Sequence, residues 1–449
     1  MRSPIRPPAT ARRLAEVVTL VTAALALAGC GGAASPVAPS RRLEFVVLED
    51  YDKGTDLAEV ARDFALIREL GAGGWRGSFG WDDYEPEPGG YDFVWLKRFA
   101  ELGRQYGLRL RPYLGYTPGW ASGGGSEDGQ VWNDPPRRSA DFARFAARLA
   151  TALRPAGSVA SYEIYNEENT RPWWDGTATR YATIYAEAAE SLRAAVPDVA
   201  VLPGGLVWPD AQWLRTVCEV DGPIAAAAVH LYAETWTPDS VTLERAIRDL
   251  AGPDFLDTLD EACRGAPVWA NEIGFATSGG KTERDQADWW VRAIAGLAAD
   301  PRVTLVGIYE IKDLAPGREV IGEPENFHLG LTRADRTPKL AFYTVRRMLQ
   351  LFSRPFTAEP VGVTVHPSTA ARARPEVRLF RRDDGRRVLI AWVRPGEAAA
   401  TIDADLITPV SRAIGYALDG VASPVAVQGR SVQGLRVAPG APCILLIDP

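Results

Sequence analysis

The sequence contains few of the residues that build metal and redox sites, with only four cysteines and three histidines in 449 residues. The cysteine spacings match no zinc-binding pattern, so we expect neither a metal site nor a cofactor. The nucleophile motif Gly-x-Ser-x-Gly is also absent, and only His230, His328 and His366 are available as a base. A serine esterase is therefore a weak hypothesis.

The sequence has no excess of positive charge, since its formal net charge is −7. Loss of residues 1–29 would remove four arginines and one glutamate and would take that charge to −10. Such a balance disfavours nucleic acids and anionic membrane surfaces as partners. No obligate protein partner is evident.

The N-terminus lacks an apolar run long enough to span a bilayer, because the run from Val17 ends at Ala28. A basic start and the segment Leu27-Ala28-Gly29-Cys30 resemble a bacterial lipoprotein signal. We therefore expect residues 1–29 to be a signal peptide and residues 30–42 a flexible tether. The protein would be exported and held at the cell surface or in the periplasm through a lipid on Cys30. A plain signal peptide with a chance cysteine is the alternative.

Three cysteines would remain after Cys30. Cys218 and Cys263 fall at the ends of neighbouring predicted helices, the second of which covers residues 241–263. This placement favours them as a disulfide pair outside the cytoplasm. The odd count leaves one thiol free, and the sequence alone does not fix the pairing.

Short apolar runs alternate with amphipathic helices, which is typical of parallel βα units. Eight alternations fit a (β/α)8 TIM barrel over residues 43–355. Its predicted strands cover residues 43–48, 74–77, 108–114, 160–165, 199–202, 224–231, 267–271 and 303–309. After Pro355 the helical periodicity disappears and strand patterns follow, including a hairpin around Asp384-Gly385. Residues 356–449 are therefore predicted to form a small all-β sandwich.

Two glutamates end predicted strands on opposite sides of the barrel mouth. Glu167 follows the fourth strand and Glu272 the seventh. Carboxyl groups about 5 Å apart can protonate a glycosidic oxygen and attack the anomeric carbon, giving hydrolysis with retention. Asn166 can bind the sugar 2-hydroxyl, a bond that strengthens in the transition state. Either glutamate alone is also compatible with a solvated acid or a structural ion pair.

Further polar residues lie where other strands end. His230 and Tyr232 share one side of the sixth strand, so both can point into the mouth, where Tyr232 can hydrogen-bond the nucleophile. Arg76 ends the second strand and can hold the Glu272 carboxylate, although buried arginines are as often structural. Tyr309 and Glu310 follow the eighth strand, and Glu310 ranks after Glu167 and Glu272 as a catalytic candidate.

Tryptophans are concentrated in the loops that follow strands. Aromatic faces stack on the C–H faces of sugars, so these loops fit a carbohydrate site. Trp81, Trp120 and Trp173 are the substrate-binding candidates, and anchoring of loops is the alternative for some members. Seven of the 14 tryptophans belong to this set: Trp81, Trp120, Trp132, Trp173, Trp174, Trp208 and Trp236.

The barrel region resembles the clan of retaining glycoside hydrolases with catalytic glutamates on strands four and seven, and is most similar to family 39. The resemblance is carried by Asn166-Glu167, His230-x-Tyr232, Glu272 and Pro118-Gly119-Trp120-Ala121. It implies Glu167 as acid/base, Glu272 as nucleophile and Asn166 as a substrate binder. The implied activity is cleavage of β-type O-glycosidic bonds in an oligo- or polysaccharide.

The sequence departs from the clan at two places. Glu168 replaces the usual proline, which predicts like-charge repulsion that raises the pKa of Glu167. Tyr309-Glu310 stands where many members have tryptophan. A different class of function, a catalytically inactive polysaccharide-binding protein at the cell surface on the same barrel, is the main alternative.

Overall fold

The structure is a computed structural model that describes residues 40–125, 129–221, 223–238, 240–317, 324–366 and 373–449. The predicted signal peptide, Cys30 and most of the predicted tether lie outside these residues. No helix within the described ranges is long and apolar enough to cross a membrane.

Eight parallel strands form the barrel, and they carry the site at their C-terminal ends. Each pairs with the next along the chain, and the last pairs with the first. Their bounds are β1 (Glu44–Leu48), β2 (Gly74–Gly80), β3 (Arg109–Gly115), β4 (Ser161–Ile164), β5a (Ala200–Pro203), β5b (Leu206–Val207), β6 (Ala227–Leu231), β7 (Val268–Ile273) and β8 (Val303–Ile308).

The fifth strand closes the barrel in two pieces. β5a pairs with β4, whereas β5b pairs with β6. Gly204 and Gly205 separate the two pieces. The predicted barrel is thus confirmed, but the sequence pattern gave no sign of this break in the fifth strand.

Helices surround the barrel in the order α1 (Leu57–Leu70), α2 (Trp81–Tyr84), α3 (Val94–Gln105), α4 (Ser139–Leu153), α5 (Ala178–Ala195), α6 (Ala211–Asp221), α7 (Leu243–Asp249), α8 (Pro253–Asp257), α9 (Glu283–Ala299) and α10 (Leu340–Leu351). Local sequence sets several ends. The Asp56 side chain accepts a hydrogen bond from Ala58 N at the start of α1, and Gly71 ends that helix in the left-handed region. Thr282 begins α9 with a capping box to Asp285.

The segment after β6 departs from the prediction. One helix was expected over residues 241–263, but α7, α8 and a π-helical turn at Thr258–Ala262 occupy it. Gly252 and Pro253 break the helix, since proline has no N–H for the preceding turn. The turn presents Cys263 to α6, and the disulfide joins Cys218 to Cys263 as predicted.

The C-terminal region forms two antiparallel sheets, which confirms the predicted β domain. The strands are β9 (Phe356–Glu359), β10 (Gly362–His366), β11 (Glu376–Arg382), β12 (Arg387–Trp392), β13 (Ala400–Asp405), β14 (Arg412–Tyr416), β15 (Ala422–Val425), β16 (Val427–Gln428), β17 (Ser431–Val437) and β18 (Cys443–Asp448). The six-stranded sheet has the order β9-β11-β12-β18-β14-β15, and the four-stranded sheet has the order β10-β13-β17-β16.

The barrel and the six-stranded sheet share a hydrophobic core. Phe356, Phe380 and Trp392 are buried in the same cluster as the residues of α9 and α10. The Trp392 indole N–H also donates to Glu244 Oε1 at 3.0 Å. Residues 40–449 accordingly form one compact unit.

Candidate active site

A layer of charged side chains fills the barrel near its C-terminal end. Arg76 on β2, Glu163 on β4 and His230 on β6 come from alternate strands, as side chains of one layer do in this fold. All three are at most 1% exposed. Arg76 Nε and Nη2 donate to the Glu163 carboxylate at 2.8–3.1 Å, and Asn271 Nδ2 donates to Glu163 Oε2 at 2.9 Å. Glu163 therefore neutralises Arg76 and is not itself available to a substrate.

Glu272, at the end of β7, is held by a hydrogen bond to each carboxylate oxygen. Arg76 Nη1 lies 2.6 Å from Oε2, and the Tyr232 hydroxyl donates to Oε1 at 2.6 Å. Burial by itself raises the pKa of this carboxyl group, but the charges of His230 and Arg76 and the bond from Tyr232 outweigh it. The net pKa lies below its ordinary value, so Glu272 is a carboxylate at neutral pH.

Glu167 faces Glu272 across the mouth. His230 Nδ1 lies 2.8 Å from Glu167 Oε1, and the imidazole stands between the two glutamates. One carboxylate oxygen of each glutamate and a ring nitrogen of His230 all lie within 4.8 Å of one another. The side chain of Glu167 is 13% exposed, so a substrate can reach it.

The backbone around Glu167 is unusual. Tyr165 and Glu167 have φ of 61° and 49°, in the left-handed region that residues with a side chain seldom adopt. Glu167 N donates to Gly205 O at 2.9 Å, which ties this loop to the break in the fifth strand. Such strained residues concentrate at functional sites, where the surrounding fold enforces them.

Asn166 is placed beside both catalytic candidates. Its Oδ1 accepts a hydrogen bond from Arg76 Nη2 at 2.9 Å. This bond orients the amide, and its nitrogen donates to no residue that the structure describes. An amide donor at this position suits a sugar hydroxyl.

Gly204 and Gly205 leave room for the side chains of Glu168 and His230, which lie beside Glu167. A Cβ on Gly205 would lie 1.9 Å from His230 Nε2, and one on Gly204 would lie 2.4 Å from Glu168 Oε2. Neither glycine was identified as functional from the sequence, because their role depends on contacts across the barrel.

Glu168 is a buried carboxyl group next to Glu167 in the sequence. It is 1% exposed. Burial, reinforced by Glu163 and Glu167, raises the pKa of Glu168 to about 8. Glu168 is therefore mostly uncharged at neutral pH.

Aromatic side chains form two walls above the glutamates. On the β6–β8 side, the rings of Trp236 and Tyr309 lie 4.2 Å and 5.9 Å from that of Tyr232. On the opposite side, Trp173 and Trp132 lie 5.6 Å apart and both contact Tyr116. Tyr309 and Trp173, both predicted substrate binders, belong to these walls, which also contain Tyr116 and Trp132.

Trp81 and Trp120 do not belong to these walls. Trp81 is fully buried, and its indole N–H donates to Glu85 Oε2 at 2.7 Å. Trp120 packs edge-on against Trp81 and donates to Glu85 O. Their prediction as substrate binders is wrong for Trp81 and unsupported by the contacts of Trp120. The strand-end rule located their loops correctly but did not reveal that α2 turns Trp81 into the core.

Glu310 and Asp50 lie next to the aromatic wall on the β8 side. Glu310 is 2% exposed and its Oε1 has no partner in the described part of the chain. Burial, and then the charge of Glu49, raises the pKa of Glu310 well above its ordinary value. Asp50 accepts a hydrogen bond from Ser78 N at 2.7 Å, and its pKa is raised by burial and by Glu272.

Asp50 was not identified from the sequence. It lies two residues after β1, and a carboxylate near the end of a strand is the signal that identified Glu167 and Glu272.

Comparison with known proteins gives similarity in structure only. No family model matches the chain, and no curated protein matches it in sequence. A family 39 glycoside hydrolase from Bacteroides cellulosilyticus WH2 superimposes with a TM-score of 0.69 over 91% of this chain and 81% of that one, at 18% identity.

Two other solved structures show a similar likeness. A family 30 endoxylanase from Clostridium papyrosolvens C71 has a TM-score of 0.62 at 14% identity, covering 91% of this chain and 97% of its own. A monomeric β-xylosidase from Caulobacter crescentus CB15 has the same TM-score and identity, covering 92% and 98%. The chain therefore has the fold of these glycoside hydrolases, a (β/α)8 barrel followed by a β domain.

Proposed function

We propose that the protein is a retaining glycoside hydrolase that cleaves β-type O-glycosidic bonds by double displacement. The observation that carries the proposal is the placement of Glu167 and Glu272, which approach to within 4.8 Å across the barrel mouth. Retaining enzymes place their two carboxyl groups about 5–5.5 Å apart, whereas inverting enzymes need room for a water between them.

Glu272 is the nucleophile. Hydrogen bonds to both oxygens fix its orientation, and the cation of Arg76 keeps it ionised. Its carboxylate attacks the anomeric carbon and forms a covalent glycosyl ester while the leaving oxygen departs. Arg76 forms ion pairs with both Glu163 and Glu272, so one cation is shared between two carboxylates.

Glu167 is the acid/base. It donates its proton to the leaving oxygen in the first step and takes a proton from water in the second, which releases the sugar and restores Glu272. Its partial exposure leaves its carboxyl group accessible to the leaving oxygen and then to water. The mechanism needs only these two carboxyl groups.

The substrate class follows from the walls and from the structural relatives. Half-buried aromatic rings flank the glutamates, and the relatives include an endoxylanase and a β-xylosidase. We infer a β-linked oligo- or polysaccharide.

Replacement of the acid tests the roles. Glu167→Gln should slow hydrolysis of glycosides with poor leaving groups by about 10²–10⁴-fold and of dinitrophenyl glycosides far less, because only the former need a proton. Azide should restore turnover of the dinitrophenyl substrate. Glu168→Gln is the matched control. Equal losses on both substrates in Glu167→Gln would contradict its role.

We also propose that the enzyme is exported and anchored through Cys30. The Leu27-Ala28-Gly29-Cys30 segment supports this proposal. Cys30→Ser should move the protein from the membrane fraction to the soluble fraction and abolish incorporation of labelled palmitate, while unchanged fractionation and labelling would contradict it.

A further inference from the structure

We propose that Trp208 and the groove beside it bind the sugar units on the leaving-group side of the scissile bond. The natural substrate is then an oligosaccharide or polysaccharide that continues past the cleavage point, rather than a small glycoside. The inference rests on the proposed function and extends it to a subsite that contains no catalytic residue.

The position of Trp208 relative to the acid gives the direction. Trp208 directly follows β5b, and its N–H donates to His230 O at 3.2 Å. The ring of the same histidine bonds to Glu167. Because the acid protonates the leaving oxygen, the departing part of the substrate lies on the Glu167 side of the mouth. Trp208 is on that side.

A second set of bonds joins this loop to the acid loop. Asn169, two residues after Glu167, accepts from Val207 N at 2.9 Å and donates to Val207 O at 3.1 Å. Its amide also donates to Asp210 Oδ2 at 3.3 Å. The backbone on both sides of Trp208 is thus fixed against the segment that carries Glu167.

The conformation of Trp208 is itself costly. Its φ is 60°, in the left-handed region, and its ring is only half-buried. A large aromatic residue in this conformation is rare, and the conformation is strained. The ring packs partly against the core, and its remaining exposed surface is available for stacking on a sugar.

The groove extends outward from Trp208 between the loop after β5b and the helices α7 and α8. Its volume of about 660 Å³ lies within the range of ligand sites, and it is large enough for more than one sugar ring. Its lining includes Trp208, Asp210, Arg245, Asp249 and Asp254.

The chemistry of the groove fits carbohydrate. Trp208 supplies an aromatic face at the inner end, and Asp249 and Asp254 supply acceptors for hydroxyl groups. Arg245 is exposed and makes no ion pair with any residue that the structure describes, so its donors are available. A mixture of one aromatic platform with separated donors and acceptors is typical of a sugar subsite.

The test compares substrates with and without leaving-group sugars. Trp208→Gly removes the ring, and glycine adopts φ of 60° without strain, so the loop should keep its shape. The substrates are a ladder of β-1,4-linked xylo-, cello- and manno-oligosaccharides from disaccharide to hexasaccharide. For the series that the enzyme accepts, we expect Trp208→Gly to lower kcat/KM about tenfold through an increase in KM. The kcat/KM for the matching p-nitrophenyl monoglycoside should change less than twofold. Trp208→Phe should restore most of the loss.

A second variant tests the outer part of the groove. Arg245→Ala should raise KM only for the longer members of the ladder, and Trp213→Phe, on α6 outside the groove, is the control. Equal effects of Trp208→Gly on monoglycoside and oligosaccharides would overturn the subsite while leaving the glycosidase proposal intact. Absence of turnover and of covalent labelling in the wild-type protein would overturn both.

Discussion

Among single residues, Arg76 has the central role in the site, because it forms ion pairs with two glutamates. Arg76 is fully buried and contacts Glu163, Glu272 and Asn166. Its removal leaves two buried acids without their cation, and breaking a buried pair in this way costs about 3–5 kcal/mol.

Arg76→Gln should shift the acid limb of the kcat/KM profile to higher pH. The reason is that the Arg76 cation lowers the pKa of Glu272, and the nucleophile must be ionised. Arg111→Gln is a matched control, since Arg111 is buried on the neighbouring strand and pairs with Glu44 instead. Both variants should be less stable, and an unchanged acid limb in Arg76→Gln would contradict the role of Arg76.

Glu168 makes a prediction about stability. Its pKa is about 8 in the folded protein against 4.5 in the unfolded chain, so the folded state binds the extra proton between these values. Stability is therefore full below about pH 4.5 and is lost as the pH rises toward 8, by an amount of the order of 3–5 kcal/mol. Glu168→Gln should flatten this decline in urea unfolding measured at pH 5, 6.5 and 8. A wild-type and a variant curve with the same slope would show that Glu168 does not carry the effect.

Among the secondary-structure elements, the break between β5a and β5b leaves the space that His230 occupies beside Glu167. A methyl group on Gly205 would overlap His230 Nε2, so the imidazole must move and release Glu167. Gly205→Ala should reduce kcat by about 10² with little change in the far-UV circular dichroism spectrum, since small displacements of catalytic groups are costly. Gly119→Ala, where an added Cβ meets no atom, is the control. Wild-type activity in Gly205→Ala would contradict this role for the break.

The same elements show what the sequence could predict. Periodicity located all eight strands, and the strand-end rule located Glu167 and Glu272, because both signals are local. The two-piece fifth strand, the glycines beneath His230 and the burial of Glu168 were not predicted, since each depends on contacts between distant segments. The prediction that Trp81 binds substrate was wrong for the same reason, because its neighbours Phe142 and Phe145 lie on α4.

At the scale of the whole molecule, the β domain completes the core of the barrel. Residues 40–355 without it would expose the side of α9 and α10 that now meets Phe380 and Trp392. We expect this fragment to be insoluble or to lack a cooperative thermal transition, whereas residues 40–449 should unfold in one step. A soluble, cooperatively folding fragment 40–355 would instead support two independent domains divided at residue 355.

In the proposed mechanism, Glu272 forms a covalent bond to a sugar during turnover. The most direct measurement is mass spectrometry of the intact protein after exposure to a panel of 2-deoxy-2-fluoro glycosyl fluorides, followed by peptide mapping of the adduct. We expect at least one sugar to form an adduct on Glu272 of the wild-type protein and no sugar to form an adduct with the Glu272→Gln variant. An adduct on another residue, or binding of polysaccharide with neither turnover nor adduct, would contradict this mechanism and favour a non-catalytic carbohydrate-binding protein.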